Sequence, residues 1–215
     1  MLIPRYNEIN ACKETSKTFV KAVIDHDIIK AKSLSQGKIL WQLQNASQLP
    51  KAKTGIVDAQ IVYLKGQIAK IFIVCEMETE FGQDVAWYNL YLLKNKDKWR
   101  IYKATETTPD PWGIKVYCKS NSIPDAEESI TRFILAATSG EDAKQYLAGP
   151  ARRTYEQVPA GLAKEKPTDI RLIPLYSDKK SSLYKASYSL ENREVNVLLS
   201  LYKLETWRIV AVNQI

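Results

Sequence analysis

Lys98-Trp99-Arg100-Ile101-Tyr102, at the middle of the chain, returns close to its end as Thr206-Trp207-Arg208-Ile209-Val210. A shared tripeptide arises easily by chance, so the reading turns on whether the residues upstream of each copy also match. Reading backwards, both copies are preceded by runs that alternate apolar and polar with a period of two, the pattern of half-buried antiparallel strands. These run near 54 to 64, 67 to 81, 84 to 94 and 98 to 107, and again near 169 to 177, 181 to 190, 193 to 203 and 205 to 214. Lys65-Gly66, Asn95-Lys96-Asp97 and Glu191-Asn192 supply hairpin turns between them.

Further upstream the period changes to that of helices. Phe19, Val20, Val23 and Ile24 form an apolar helix face, which Asp25-His26-Asp27 interrupts. Asp27 is the expected N-cap of a short second helix carrying Ile28, Ala31 and Leu34. In the second half Ile130, Phe133, Ile134 and Ala137 make the stripe, with Asp125 as expected N-cap and Glu128 completing a capping box. Ser139-Gly140 ends that helix, and Glu141-Asp142 opens a short one with Ala143, Tyr146 and Leu147. Residues 35 to 53 and 148 to 167 read as irregular connections. The spacing from His26 to Trp99 is 73 residues and from Gly140 to Trp207 is 67, so order and length both repeat. Pro109-Asp110-Pro111-Trp112-Gly113 is rich in turn formers and reads as the join. The expected organisation is α+β: a first domain over 1–109, a linker over 110–124 in which Trp112 and Tyr117 pack at the domain junction, and a second domain over 125–215.

This series of elements resembles the nuclear transport factor 2-like superfamily, of cystatin-like α+β fold. Phe19-Val20-Lys21-Ala22 followed by Asp27 and Ala31-Lys32-Ser33-Leu34 resembles the family's opening helices, as does Phe133 to Leu147. Asp84-Val85-Ala86-Trp87-Tyr88 with Trp99-Arg100-Ile101-Tyr102 resembles its final hairpin. Two tandem copies are similar to the extracytoplasmic part of TcpC-type conjugation proteins, which assemble a transfer apparatus, and single copies precede the catalytic domain of some penicillin-binding proteins. The resemblance implies a bacterial protein working in the cell envelope or a transfer apparatus. Function does not follow from it directly, because the superfamily holds enzymes, carriers and scaffolds on one fold.

Composition narrows the classes. With 45% hydrophobic and 26% charged residues the chain has the makeup of a folded globular protein, not of a disordered one. Its net charge of +7 invites a nucleic-acid reading. Residues 1 to 109 hold 16 Lys and Arg against 11 Asp and Glu, giving +5 and leaving +2 for the rest. Basic residues cluster only as pairs, Arg152-Arg153 and Lys179-Lys180, with Lys51 near Lys53, and pairs do not track a phosphate backbone. The sequence therefore disfavours nucleic acid. Cys12, Cys75 and Cys118 are widely spaced and fit neither a disulfide framework nor a metal site. No apolar run is long enough to cross a bilayer, so a soluble chain is expected, cytoplasmic as it stands or extracytoplasmic where an N-terminal anchor has been removed.

Enzymes of the superfamily place an Asp or His base inside the cone between helices and sheet, where desolvation tunes it. The single histidine, His26, falls in an interhelical turn, a position usually wet. Glu76, Glu78 and Glu80 alternate along one strand whose other face is Ile71, Ile73, Cys75 and Met77, so the glutamates are expected to face solvent or a partner. Cys75 then counts as a small buried hydrophobe. Trp87, Tyr88 and Tyr91 sit together on the third strand as core, cross-strand pairs or the wall of a ligand pocket. Phosphate loops, nucleophile elbows and zinc-protease motifs are missing. The expectation is a non-enzymatic interaction module with no cofactor, no catalytic residue and no metal ligand, a protein as its partner, and self-association left open. The alternative is a small-molecule binder or isomerase-like protein using the cone of one domain.

Overall fold

Strand alternation becomes two separate four-stranded antiparallel sheets, each a simple meander, in the orders β1-β2-β3-β4 and β5-β6-β7-β8. The computed structural model describes residues 3–45, 52–107, 121–156, 165–191 and 193–215. The chain divides into two compact units, Met1–Thr107 and Thr108–Ile215. The expected junction residues Trp112 and Tyr117, most of the expected linker, and Cys118 lie outside the described residues.

In the first unit, α1 (Ile3–Ile24), α2 (Ile28–Ser33) and α3 (Gly37–Asn45) precede β1 (Ala52–Lys65), β2 (Ile68–Thr79), β3 (Gly82–Asn95) and β4 (Lys98–Thr107). Helix α1 continues the apolar stripe backwards from Phe19 with small residues, Ser16 and Cys12, which are fully buried. Their size lets the helix lie close to the inner face of the sheet, made by Ala69, Ile71, Ile73 and Cys75 of β2 and Leu90 and Leu92 of β3. The helix ends where His26 takes a left-handed conformation at φ +61°. Asp27 then caps α2, its side chain accepting from the Lys30 amide at 3.0 Å, as its position before Ile28 requires.

The second unit runs α4 (Pro124–Ser139), a 3₁₀ turn (Lys144–Tyr146), α5 (Gly149–Tyr155), then β5 (Thr168–Ser177), β6 (Ser181–Leu190), β7 (Arg193–Lys203) and β8 (Trp207–Gln214). Gly140 closes α4 at φ +77°, and the amide of Glu141 reaches back to the Ala136 carbonyl at 3.0 Å, a Schellman closure. The capping box is corrected. Ile123 is the N-cap and makes no side-chain cap bond, because Pro124 already begins the helix. Asp125 therefore lies inside the first turn, where its charge favours the helix dipole. Entry is fixed instead by the Ile123 amide donating to the buried Tyr184 hydroxyl at 2.9 Å and by Ser122 Oγ donating to Glu127 at 2.6 Å.

Both stretches read as irregular contain a helix, α3 and α5. Repetition extends into the irregularities of the sheets. On β4 a bulge at Tyr102 follows Ile101, and on β8 a bulge at Val210 follows Ile209. On β1 the residues Gly55 and Ile56 oppose the single residue Glu76, and on β5 Asp169 and Ile170 oppose Tyr188. Gly55 suits that bulge because a Cβ there would stand 3.0 Å from the Glu76 carbonyl oxygen. Parallel bridges tie Ser35 to Ile101 and Leu147 to Ile209, so in both units the chain leaving the helices clips onto the middle of the Trp-Arg-Ile strand.

Candidate functional site

Each unit has a cleft between its helices and its sheet. In the first unit the cleft is about 240 Å³, bounded by Phe19, Val20 and Val23 of α1, Ile39, Gln42 and Leu43 of α3, Tyr88 and Leu90 of β3, and Ala104 of β4. Its wall is almost wholly apolar, with the Gln42 amide and the Tyr88 hydroxyl as its polar groups among the described residues. The second unit has a cleft of about 340 Å³ in the matching place, where Phe133 of α4 and Ala151, Thr154 and Tyr155 of α5 face Val210 and Val212 of β8. The described lining of neither contains a carboxylate, a histidine or a cysteine. Such a wall can hold an apolar group by displacing water.

The sequence candidates are split between surfaces. Tyr88 points inward, half-buried, into the first cleft. Trp87 and Tyr91, odd-numbered on the same strand, belong to the outer face: Trp87 is buried, at 2% exposure, and Tyr91 is half-buried. Glu76 and Glu78 also lie on the outer face, half-buried and exposed respectively, whereas Glu80 is past the end of β2 in the turn. His26 is exposed in its turn between helices. Among the described residues, no three His, Cys, Asp or Glu side chains gather where they could hold a metal ion.

Around Tyr91 the structure gathers partners that the sequence did not mark. On the outer face Lys70, Tyr91 and Lys103 are cross-strand neighbours, and the two ammonium groups stand 5.5 and 5.2 Å from the Tyr91 ring centre. The Tyr102 ring lies 6.3 Å from that of Tyr91. Of these residues the sequence singles out Tyr91 alone, and only strand register sets Lys70 and Lys103 beside it.

Elsewhere, burial is the main cause of the shifts at Cys12, Cys75 and Arg208. Burial first, then the charge of Glu8, pushes the Cys12 thiol up to about 12. Burial with Asp25 and Glu76 does the same for Cys75, also to about 12. Arg208 is held below its usual value by burial and then by the neighbouring Arg152. Arg100, its counterpart, donates to the Ser33 carbonyl at 2.8 Å.

Fold and clefts define an α+β protein of two units, each packing one long helix and shorter ones on one face of a four-stranded meander. No protein-family profile matches the chain, and neither does any curated protein. Among solved structures it is similar to one described as an "Ntf2 like protein involved in plasmid conjugation", at 9% identity over 95% of this chain and 95% of that one, with a TM-score of 0.40. A likeness that distant assigns no function. No helix among the described residues is long and apolar enough to cross a membrane.

Proposed function

We propose that this chain is a non-catalytic module of two nuclear transport factor 2-like domains whose work is protein–protein contact, in a cell-envelope or transfer-apparatus setting. The observation that supports the non-catalytic part is the described lining of the clefts, which is mainly apolar and includes no Asp, Glu, His or Cys side chain. The interaction part is supported by the outer face of the first sheet, where Tyr63 is 42% exposed, Ile68 43% and Leu93 37% beside Lys70 and Lys103. Apolar and aromatic groups ringed by charge on a sheet face suit a partner surface. The envelope or transfer setting rests on the sequence resemblance.

Affinity capture with the purified full chain, compared with a Lys70→Glu/Lys103→Glu variant, tests it. The expected result is a specific protein enriched by the natural chain and lost with the variant. Capture of nothing specific, together with a tightly bound small molecule, would overturn the reading.

The first cleft favours a second reading, the binding of a small apolar molecule with one hydrogen-bonding group for Gln42 or Tyr88. Under it, medium-chain alcohols raise the melting temperature of the natural chain, and a Leu43→Trp substitution that fills the cleft abolishes the rise. Equal shifts in both proteins would exclude the cleft as the site.

A further inference from the structure

Folding sorts the charges of the first unit by strand direction. Because the sheet is a meander, the β1–β2 and β3–β4 turns share one end and the β2–β3 turn lies at the other. At the first end stand Lys65, Lys70, Lys96, Lys98, Arg100 and Lys103, with Asp97 as the acid among them. Lys94 is there too, already paired with Glu8 at 2.7 Å. At the opposite end stand Glu76, Glu78 and Glu80, with Lys53 across from Glu78. The basic end carries the Lys70–Tyr91–Lys103 cluster and the exposed Ile68 and Leu93. The acidic end carries Phe81, 64% exposed at the tip of its hairpin. That tip is held in shape by Thr79, whose hydroxyl donates to the Gly82 carbonyl at 2.9 Å and accepts from the Phe81 amide at 3.2 Å.

We propose that the chain associates head to tail with a second copy of itself, the acidic Phe81-tipped hairpin of one copy seating on the Lys70–Tyr91–Lys103 face of the next. The argument is charge complementarity within one sequence: the chain carries both a cationic aromatic face and an acidic hairpin with an exposed ring. Phe81 gives the docked hairpin an apolar contact against the exposed Ile68 and Leu93, and Glu78 and Glu80 meet the two ammonium groups over Tyr91. A single-stranded nucleic acid suits the face less well. The lysines flank Tyr91 from both neighbouring strands, and a base would have to displace an ammonium to stack on the ring. Since the two surfaces differ, the contact is heterologous and each copy keeps one of each free, so assembly continues unless a ring closes.

This deepens the interaction reading by naming one partner, and sedimentation velocity of the full chain separates the two. Charges at exposed positions are screened within roughly 10 Å at 0.1 M salt, so species larger than the monomer should grow with protein concentration near 0.05 M salt and vanish near 0.5 M. Lys70→Glu/Lys103→Glu and Glu78→Lys/Glu80→Lys proteins should each be monomeric, and mixing them should restore assembly, because each then offers the surface the other lacks. Phe81→Ala, which leaves the charges alone, should weaken association on the order of tenfold, as loss of a central aromatic contact does. A natural chain that stays monomeric at low salt, or oligomers that survive both charge reversals, would overturn the proposal. So would binding of poly-glutamate or an oligonucleotide to the Lys70 face of a strictly monomeric chain, which would assign the face to another occupant. A monomer that still captures a specific protein sinks self-association and leaves the interaction reading standing.

Discussion

At the scale of single residues the two units solve the same problem with different chemistry. Both end their long helix in a left-handed residue, His26 at φ +61° and Gly140 at φ +77°. Glycine takes that conformation without a Cβ clash, whereas histidine is strained by roughly 1 kcal/mol. His26→Gly is therefore expected to stabilise the first unit by about 0.5 to 1 kcal/mol, and Gly140→Ala to destabilise the second by about 1 kcal/mol, both read from urea unfolding midpoints. The buried thiols give a second expectation. Cys12 and Cys75 titrate from 9.0 up to about 12 when folded, so the native state keeps protons that the unfolded chain releases. Stability from these groups is whole below pH 9 and declines as pH climbs from there toward 12. At pH 8 iodoacetamide should leave both sites unlabelled in the native chain and label them in denaturant, with peptide mass spectrometry as the readout. Rapid native labelling of either would mean that its segment opens.

At the scale of elements, the Trp-Arg-Ile strand joins helices to sheet, and the reasons for its repetition are visible in what each residue touches. Trp99 and Trp207 are 5% exposed and Ile101 and Ile209 fully buried, so these positions are packed from the helix side. Arg100 sits between them facing away and secures the end of α2 through the Ser33 carbonyl at 2.8 Å. Replacing it by Met keeps the aliphatic stem and removes the donor, and should destabilise the first unit by about 1 kcal/mol in thermal denaturation, the typical worth of one hydrogen bond. An unchanged midpoint would show the latch to be slack. The strands were legible because antiparallel sheets with one face on helices write their burial as alternation. Helices α3 and α5 were not. In α3 the stripe exists but is short: Ile39, Leu40 and Leu43 stand at helical spacing within nine residues, and the 63% exposed Trp41 between them blurs the pattern. Gly149-Pro150 reads as a turn, yet proline is compatible with a helix's first positions, where its missing N–H is no loss. Of the first cleft's lining the sequence offered Tyr88 as a pocket-wall candidate, while the wall supplied by α3 went unread with that helix. The Lys70–Tyr91–Lys103 cluster was unreadable for another reason: its members are separated along the chain, and pairing register alone brings them side by side.

At the scale of the whole molecule the question is whether repetition of elements means independence of folding. Each unit has its own described apolar cluster: Phe19, Val20, Ile71, Ile73, Leu92 and Trp99 belong to one, Ile130, Ile134, Tyr184, Leu199 and Trp207 to the other. Every strand pairs within its own sheet. Cooperativity follows shared packing, so a core confined to one unit should unfold with that unit and leave its neighbour's protection intact. Ile101 and Ile209 make the fair test, being equivalent, fully buried and central to their clusters. Truncating either to alanine removes transfer energy and opens a cavity, together about 2 to 5 kcal/mol. Hydrogen exchange read by mass spectrometry on the full chain should then show β2 and β3 peptides losing protection in Ile101→Ala while β6 and β7 peptides keep theirs, and the reverse in Ile209→Ala. Calorimetry of each variant should show one transition shifted down and the other in place. Loss of protection in both sheets from either single truncation would mean one cooperative core, and the matching bulges, caps and clips would then describe a duplicated pattern inside a single folding unit.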